Sequence, residues 1–294
     1  MTNKRRKKII KWLAILGIVA VVGLLVDFVA FRYNRNRSAA FRADGTAFLI
    51  SYGSDWQDFE IRGAADSNDA LFSGEASLSK REYSRLLSRF AASGVNVVRA
   101  KTVLSPDFYK ALFEYNLLAE KPIFLLQGVR LGGRHGGQPV HAYDDRLNSE
   151  FLEEIRRTID AVHGKAVTRH PLGSGPEAYN LNVAPYLIGY ILCAEVDGEF
   201  IKATNSINLN VSGFEGDYLY TVNANPFEAW IAAISNYAVS YEREKYGELT
   251  KLLSWANLLR NDALENVRFE HICPTEKFAS GTLFAWRDEW LEGF

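Results

Sequence analysis

The run Tyr186-Leu-Ile-Gly-Tyr-Ile-Leu192 is apolar throughout and then gives way to Cys193-Ala-Glu195-Val-Asp197-Gly-Glu199. Seven apolar residues suit a strand buried on both faces and are short for a helix. Glu195 is therefore expected where a strand of a parallel sheet emerges into its loop, the place where (β/α) folds keep catalytic acids. A carboxyl held protonated by an apolar pocket can donate to a leaving oxygen, the work of a general acid. The plain alternative is a solvated turn in which Glu195, Asp197 and Glu199 only face water, and this segment alone does not separate the two. Other chemistries find less support. Histidines 135, 141, 163, 170 and 271 show no metal-ligand spacing, and Cys193 and Cys273 stand eighty residues apart, so neither a metal site nor a disulfide framework is expected. Gly173-Ser-Gly-Pro-Glu-Ala178 loosely matches a dinucleotide fingerprint, but no strand precedes it and Pro176 interrupts it. No cofactor is expected.

The compartment follows from the N-terminus. Trp12 to Phe31 is a run of twenty residues with one charge, Asp27, which at about 1.5 Å per residue spans a hydrocarbon core of about 30 Å. Six basic residues, Lys4 to Lys8 and Lys11, precede it, and four, Arg32, Arg35, Arg37 and Arg42, follow. This excess orients a single-pass helix with its tail in the cytoplasm and the large domain outside the cell membrane. A cleaved signal peptide with Ser38-Ala39-Ala40 as its small-residue site is the competing reading, disfavoured by the long apolar region and by the arginines before that site. The expected organisation is a basic tail over 1–11, a membrane helix over 12–31 that partners the bilayer, a linker over 32–45 and one domain over 46–294. Residues 32–294 carry 28 basic against 34 acidic side chains, a balance that does not invite nucleic acid.

The elements that would position Glu195 alternate in type. Strands are expected at Phe59–Gly63, Val95–Arg99, Pro122–Gln127, Tyr186–Leu192, Leu249–Trp255, Val267–Ile272 and Thr282–Trp286. Helices are expected between them. Ser79-Lys-Arg-Glu82 is a capping box ahead of Tyr83, Leu86, Leu87 and Phe90, with Gly94 as the stop. Ser105-Pro106 and Asn225-Pro226 pair an N-cap with proline at the first helical position, and the latter opens a helix running to Gly247. Asn148 to Gly164 carries Phe151, Ile155, Ile159 and Val162 on one stripe. Such alternation specifies an α/β fold of (β/α)8 barrel type preceded by one transmembrane helix. The barrel is expected to be incomplete or irregular. Seven strands are one short, and the nine residues between Ile272 and Thr282 fall below a parallel crossover, so either the last strand runs antiparallel or part of a barrel is absent.

Glu60-Ile-Arg-Gly63, Gly94-Val-Asn-Val-Val-Arg99, Phe108-Tyr-Lys-Ala-Leu-Phe-Glu-Tyr-Asn116, Leu125-Leu-Gln-Gly-Val129, Ile188 to Glu195, Pro226-Phe-Glu-Ala-Trp230 and Glu270-His-Ile272, in that order, resemble the clan A glycoside hydrolases, in the branch related to family 2 barrels. The resemblance implies that Glu195, ending the fourth strand, is the acid/base and that Arg99 supports the nucleophile. It departs at Ala194, where asparagine is common, and at Lys101, where an aromatic is common. The seventh strand, which would deliver the nucleophile, has no clean match, leaving Glu270, Glu276 and Glu289 as candidates. Two carboxyls are needed, about 5–5.5 Å apart for retention or about 6.5–9.5 Å for inversion. Tyr190, Trp255, Trp286 and Trp290 are candidates to stack on sugar rings, with core packing as the plainer reading of each, and His271 beside Glu270 is a further candidate for substrate. Two functions follow as expectations: an extracellular, membrane-anchored glycosidase or transglycosidase acting on surface polysaccharide, or a non-catalytic glycan-binding or membrane-assembly protein built on a degenerate barrel.

Overall fold

The computed structural model describes residues 3–37, 39–44, 47–52, 55–64, 78–132, 140–169, 176–192, 198–221, 224–247, 252–255 and 284–286. The chain opens with helix α1 (Asn3–Arg37), followed by an antiparallel three-stranded sheet, β1 (Ala40–Asp44), β2 (Ala47–Ser51) and β3 (Trp56–Asp58). The segment Ile10–Phe31 of α1 is long and apolar enough to cross a membrane, a length and composition that a signal sequence shares. Residues 32–45 were expected as a linker. Instead the helix continues to Arg37, and β1 pairs with β2 from Ala40↔Ser51 to Asp44↔Ala47.

A β/α series comes next: β4 (Gly63–Ala64), α2 (Lys80–Ala92), β5 (Val97–Ala100), α3 (Pro106–Leu118), β6 (Phe124–Val129) and α4 (Asp145–Val162). After a hairpin of β7 (Val167–Arg169) and β8 (Pro176–Ala178), a 3-10 turn (Ala184–Tyr186) leads into β9 (Leu187–Leu192). Then follow α5 (Gly198–Ile207), β10 (Leu219–Thr221), α6 (Pro226–Tyr246), β11 (Leu252–Trp255) and β12 (Phe284–Trp286). Strands β4, β5, β6, β9 and β11 form one sheet in chain order, each pair parallel. Helices α2, α3, α4 and α6 connect successive strands, so five parallel strands are joined by four β/α connections, with β4 and β11 at the edges of the sheet among the described residues.

Local chemistry sets the helix ends. Glu82 accepts from the Ser79 backbone N–H at 2.9 Å, and Gly94 takes φ 82° just beyond α2. Asn225 and Glu228 cap α6 reciprocally at 3.0 and 2.8 Å, and Gly247 ends it at φ 64°. Helix α4 starts three residues earlier than expected, because the Asp144 carboxylate accepts from the Leu147 N–H at 2.9 Å and caps the helix there.

Two strand expectations need correction. Over Phe59–Gly63 only Gly63 belongs to a strand, while Glu60, Ile61 and Arg62 are exposed and irregular. At Thr282–Trp286 the strand is β12, which pairs antiparallel with β10 (Leu219↔Trp286) outside the parallel sheet. Val267–Ile272 lies outside the described residues.

The outer face of the sheet packs on the helices, with Val98, Ala100 and Leu125 against Tyr83, Leu87, Phe108 and Leu112. The inner face has its own cluster of Val97, Phe124 and Ile188, closed by Ala39 and Ile50 with Phe41, Phe48 and Phe59 packed against them. Phe41 and Phe59 meet Phe124 edge-on at 4.9 and 5.6 Å. The β1–β3 sheet is thus a plug at the N-terminal end of the strands.

Candidate functional site

Residues at the C-terminal ends of β5, β6, β9 and β11 form the part of the inner face that the plug leaves uncovered. Strand pleating alternates faces: Val98 and Ala100 face the helices and Val97 faces the plug, so Arg99 projects from the inner face, two residues above the aromatic cluster. It is only partly buried, yet its Nε is fully buried and has no hydrogen-bond partner among the described residues. A donor left unpaired at a strand end is costly.

The neighbouring strand ends add charge of the same sign. Arg99 pairs in register with Leu126 and Ala100 with Gln127, which places Lys101 beside Gly128 and two residues from Arg130. Gly128 admits no side chain: a Cβ there would fall 2.6 Å from the Lys101 carbonyl carbon and 2.7 Å from the Ala100 oxygen. The strand ends therefore approach closely, and every charged residue they contribute among the described residues, Arg99, Lys101 and Arg130, is cationic.

The loop that carries Lys101 is held from beneath. Gln127 is fully buried, donates from Nε2 to the Thr102 carbonyl (2.9 Å) and the Gly128 carbonyl (2.9 Å), and accepts from Tyr109 Oη at 2.8 Å. Tyr179 Oη donates to the Leu104 carbonyl at 2.7 Å. Burial pushes the Tyr109 phenol well above its ordinary pKa, so it remains a neutral donor. Sequence reasoning missed Gln127 and Arg130 as site residues and met Lys101 only as a departure from the resemblance. The signal available was a glutamine inside the apolar run Ile123 to Val129 and a cation just beyond each of two strands.

The other expected site residues fall in different places. Tyr190 takes the packing reading. It is 2% exposed on the helix side of β9, where its Oη donates to Glu242 Oε1 at 2.8 Å. His163 Nε2 lies 2.9 Å from the same oxygen, and Tyr246 stacks on the imidazole at 3.8 Å. Tyr190 therefore joins this buried cluster and not Arg99. Trp255 occupies a register position opposite Leu192, at the end of the strand that leads to Glu195. Trp286 lies opposite Leu219 in the separate β10–β12 ladder. Glu195, Glu270, His271, Glu276 and Glu289 lie outside the described residues. Among the described residues no group of three or more His, Cys, Asp or Glu could hold a metal ion.

No family model matches the sequence, and no curated protein does. Among solved structures the chain is similar to the endo-1,4-beta-mannanase from Rhizomucor miehei, at 14% identity and a TM-score of 0.42, covering 74% of this chain and 60% of that one.

Proposed function

We propose that the protein binds an acidic surface polysaccharide at the C-terminal strand ends of its sheet, outside the membrane, and that Glu195 supplies acid/base chemistry on its glycosidic bonds. The observation that carries this reading is the gathering of three cations, Arg99, Lys101 and Arg130, at adjoining strand ends, with the Arg99 Nε unpartnered among the described residues. A guanidinium takes a carboxylate or sulfate through paired charge-assisted hydrogen bonds. In the catalytic form of the reading, Glu195 protonates the leaving oxygen while one of Glu270, Glu276 or Glu289, ionised, attacks the anomeric carbon or activates water. Arg99 holds the acidic sugar in place. A non-catalytic glycan-binding protein is the second reading, favoured by β12 pairing with β10 and not extending the parallel sheet.

The test uses the full chain in detergent micelles with two oligosaccharide sets, uronate-containing and neutral, and follows both binding and release of reducing ends. Acidic oligosaccharides should bind more tightly than neutral ones of equal length. Glu195→Gln should bind like wild type and release nothing. Absence of binding to either set would refute the proposal, and turnover that survives Glu195→Gln would remove Glu195 from the chemistry.

A further inference from the structure

We propose that the N-terminal face of the domain rests on the bilayer surface, with Trp56, Ile61 and Leu118 in the headgroup layer; this builds on the reading of residues 12–31 as membrane-spanning. Helix α1 runs unbroken to Arg37, so it extends six residues, about 9 Å, past Phe31. The polar layer of one leaflet is about 5–8 Å thick. Ala39, two residues beyond the helix, is already 7% exposed inside the plug with Ile50, Val97, Phe124 and Ile188. Helix α1 also touches α3 and the 3-10 turn that precedes β9. The chain thus has almost no slack between bilayer and domain, and the face that meets the lipid is the N-terminal one.

The residues on that face suit the interface. The register Arg42↔Leu49↔Asp58 and Ser51↔Trp56 puts Arg42, Leu49, Trp56 and Asp58 on the side of the plug opposite Phe41 and Ile50, which face the core. Trp56 is 41% exposed, and the Arg42 guanidinium stands 5.2 Å over its ring. Ile61 is 41% exposed and Leu118 64%. Leu118 borders an open groove lined also by Phe59, Arg62 and Lys121. Large apolar side chains at such exposure, with tryptophan and cations around them, match the composition of membrane–water interfaces. They are dispersed among Asp58, Glu60, Glu114 and Glu120 and do not form the continuous apolar patch of a protein interface. The opposite face, with Arg99 and Lys101, then opens away from the membrane.

The experiment reconstitutes the full chain in phosphatidylcholine vesicles whose acyl chains are brominated near the headgroup, and takes difference emission spectra between wild type and Trp56→Phe and between wild type and Trp12→Phe. Both components should be at least halved by brominated lipid, and the Trp56 component should resist aqueous acrylamide. A Trp12 component that is quenched beside a Trp56 component that is not, and that acrylamide reaches, overturns the docked face while leaving the anchor intact. If neither is quenched, the spanning reading of residues 12–31 fails and the docked face fails with it.

Discussion

Replacing Arg99 by methionine should make the protein more stable and worse at binding. The side chain keeps its unbranched length but loses the Nε donor, which is buried without an acceptor among the described residues. A buried unsatisfied donor costs about 1–3 kcal/mol. Because Arg99 is only partly buried, the lower end applies, and a gain of about 1 kcal/mol corresponds to a rise in Tm of about 2–4 °C for a domain of this size. Hydrogen bonds to a charged group are worth about 1.5–3 kcal/mol, so affinity for an acidic oligosaccharide should fall by roughly tenfold to a hundredfold. Near-ultraviolet circular dichroism of the detergent-solubilised full chain reports the melting, and titration calorimetry reports the affinity. A fall in Tm would show that Arg99 serves a structural ion pair, and unchanged affinity would show that it does not touch the ligand. Either result defeats the reasoning.

Gly128→Ala should lower the urea midpoint by about 1–3 kcal/mol of stability or more, because the new methyl would sit 2.7 Å from the Ala100 oxygen; unaltered unfolding would show that β5 yields without cost. Tyr190→Phe removes the donor 2.8 Å from the buried Glu242 carboxylate and should cost about 1.5–3 kcal/mol in urea unfolding, with oligosaccharide affinity unchanged. Burial pushes the Tyr143 phenol up to about 12, so in the folded state it keeps its proton at alkaline pH where the unfolded chain, with an ordinary value of about 10, releases it. Stability should therefore fall as pH rises from about 10 towards 12, and Tyr143→Phe should show a smaller loss over that same window by urea unfolding.

The features legible in the sequence were those set within one helical turn. Ser79 with Glu82 and Asn225 with Glu228 open helices because an N-cap and its partner lie three residues apart, Pro106 suits the first helical position, and Gly94 and Gly247 close helices because glycine adopts φ 82° and φ 64° cheaply. The run Leu187–Leu192 declared itself as a strand with both faces buried, and every one of its six residues is. That same uniformity hid the orientation of Tyr190. In a run without polar alternation, sequence does not say which face each residue takes, and here the register slips at Leu125/Leu126, passing over Ile188, so that Tyr190 turns to Glu242. Pairings between distant segments were equally out of reach: β12 found β10 some sixty residues away, β1–β3, of which only β1 lies in the expected linker, packed on the inner face of the parallel sheet, and Gln127 came to hold the Thr102 carbonyl. Such choices depend on which surfaces remain unburied once the rest of the chain has packed. Helix ends answer to neighbours three or four residues away, whereas strand partners and the facing of a doubly buried strand answer to the whole core, and only the tertiary structure records that outcome.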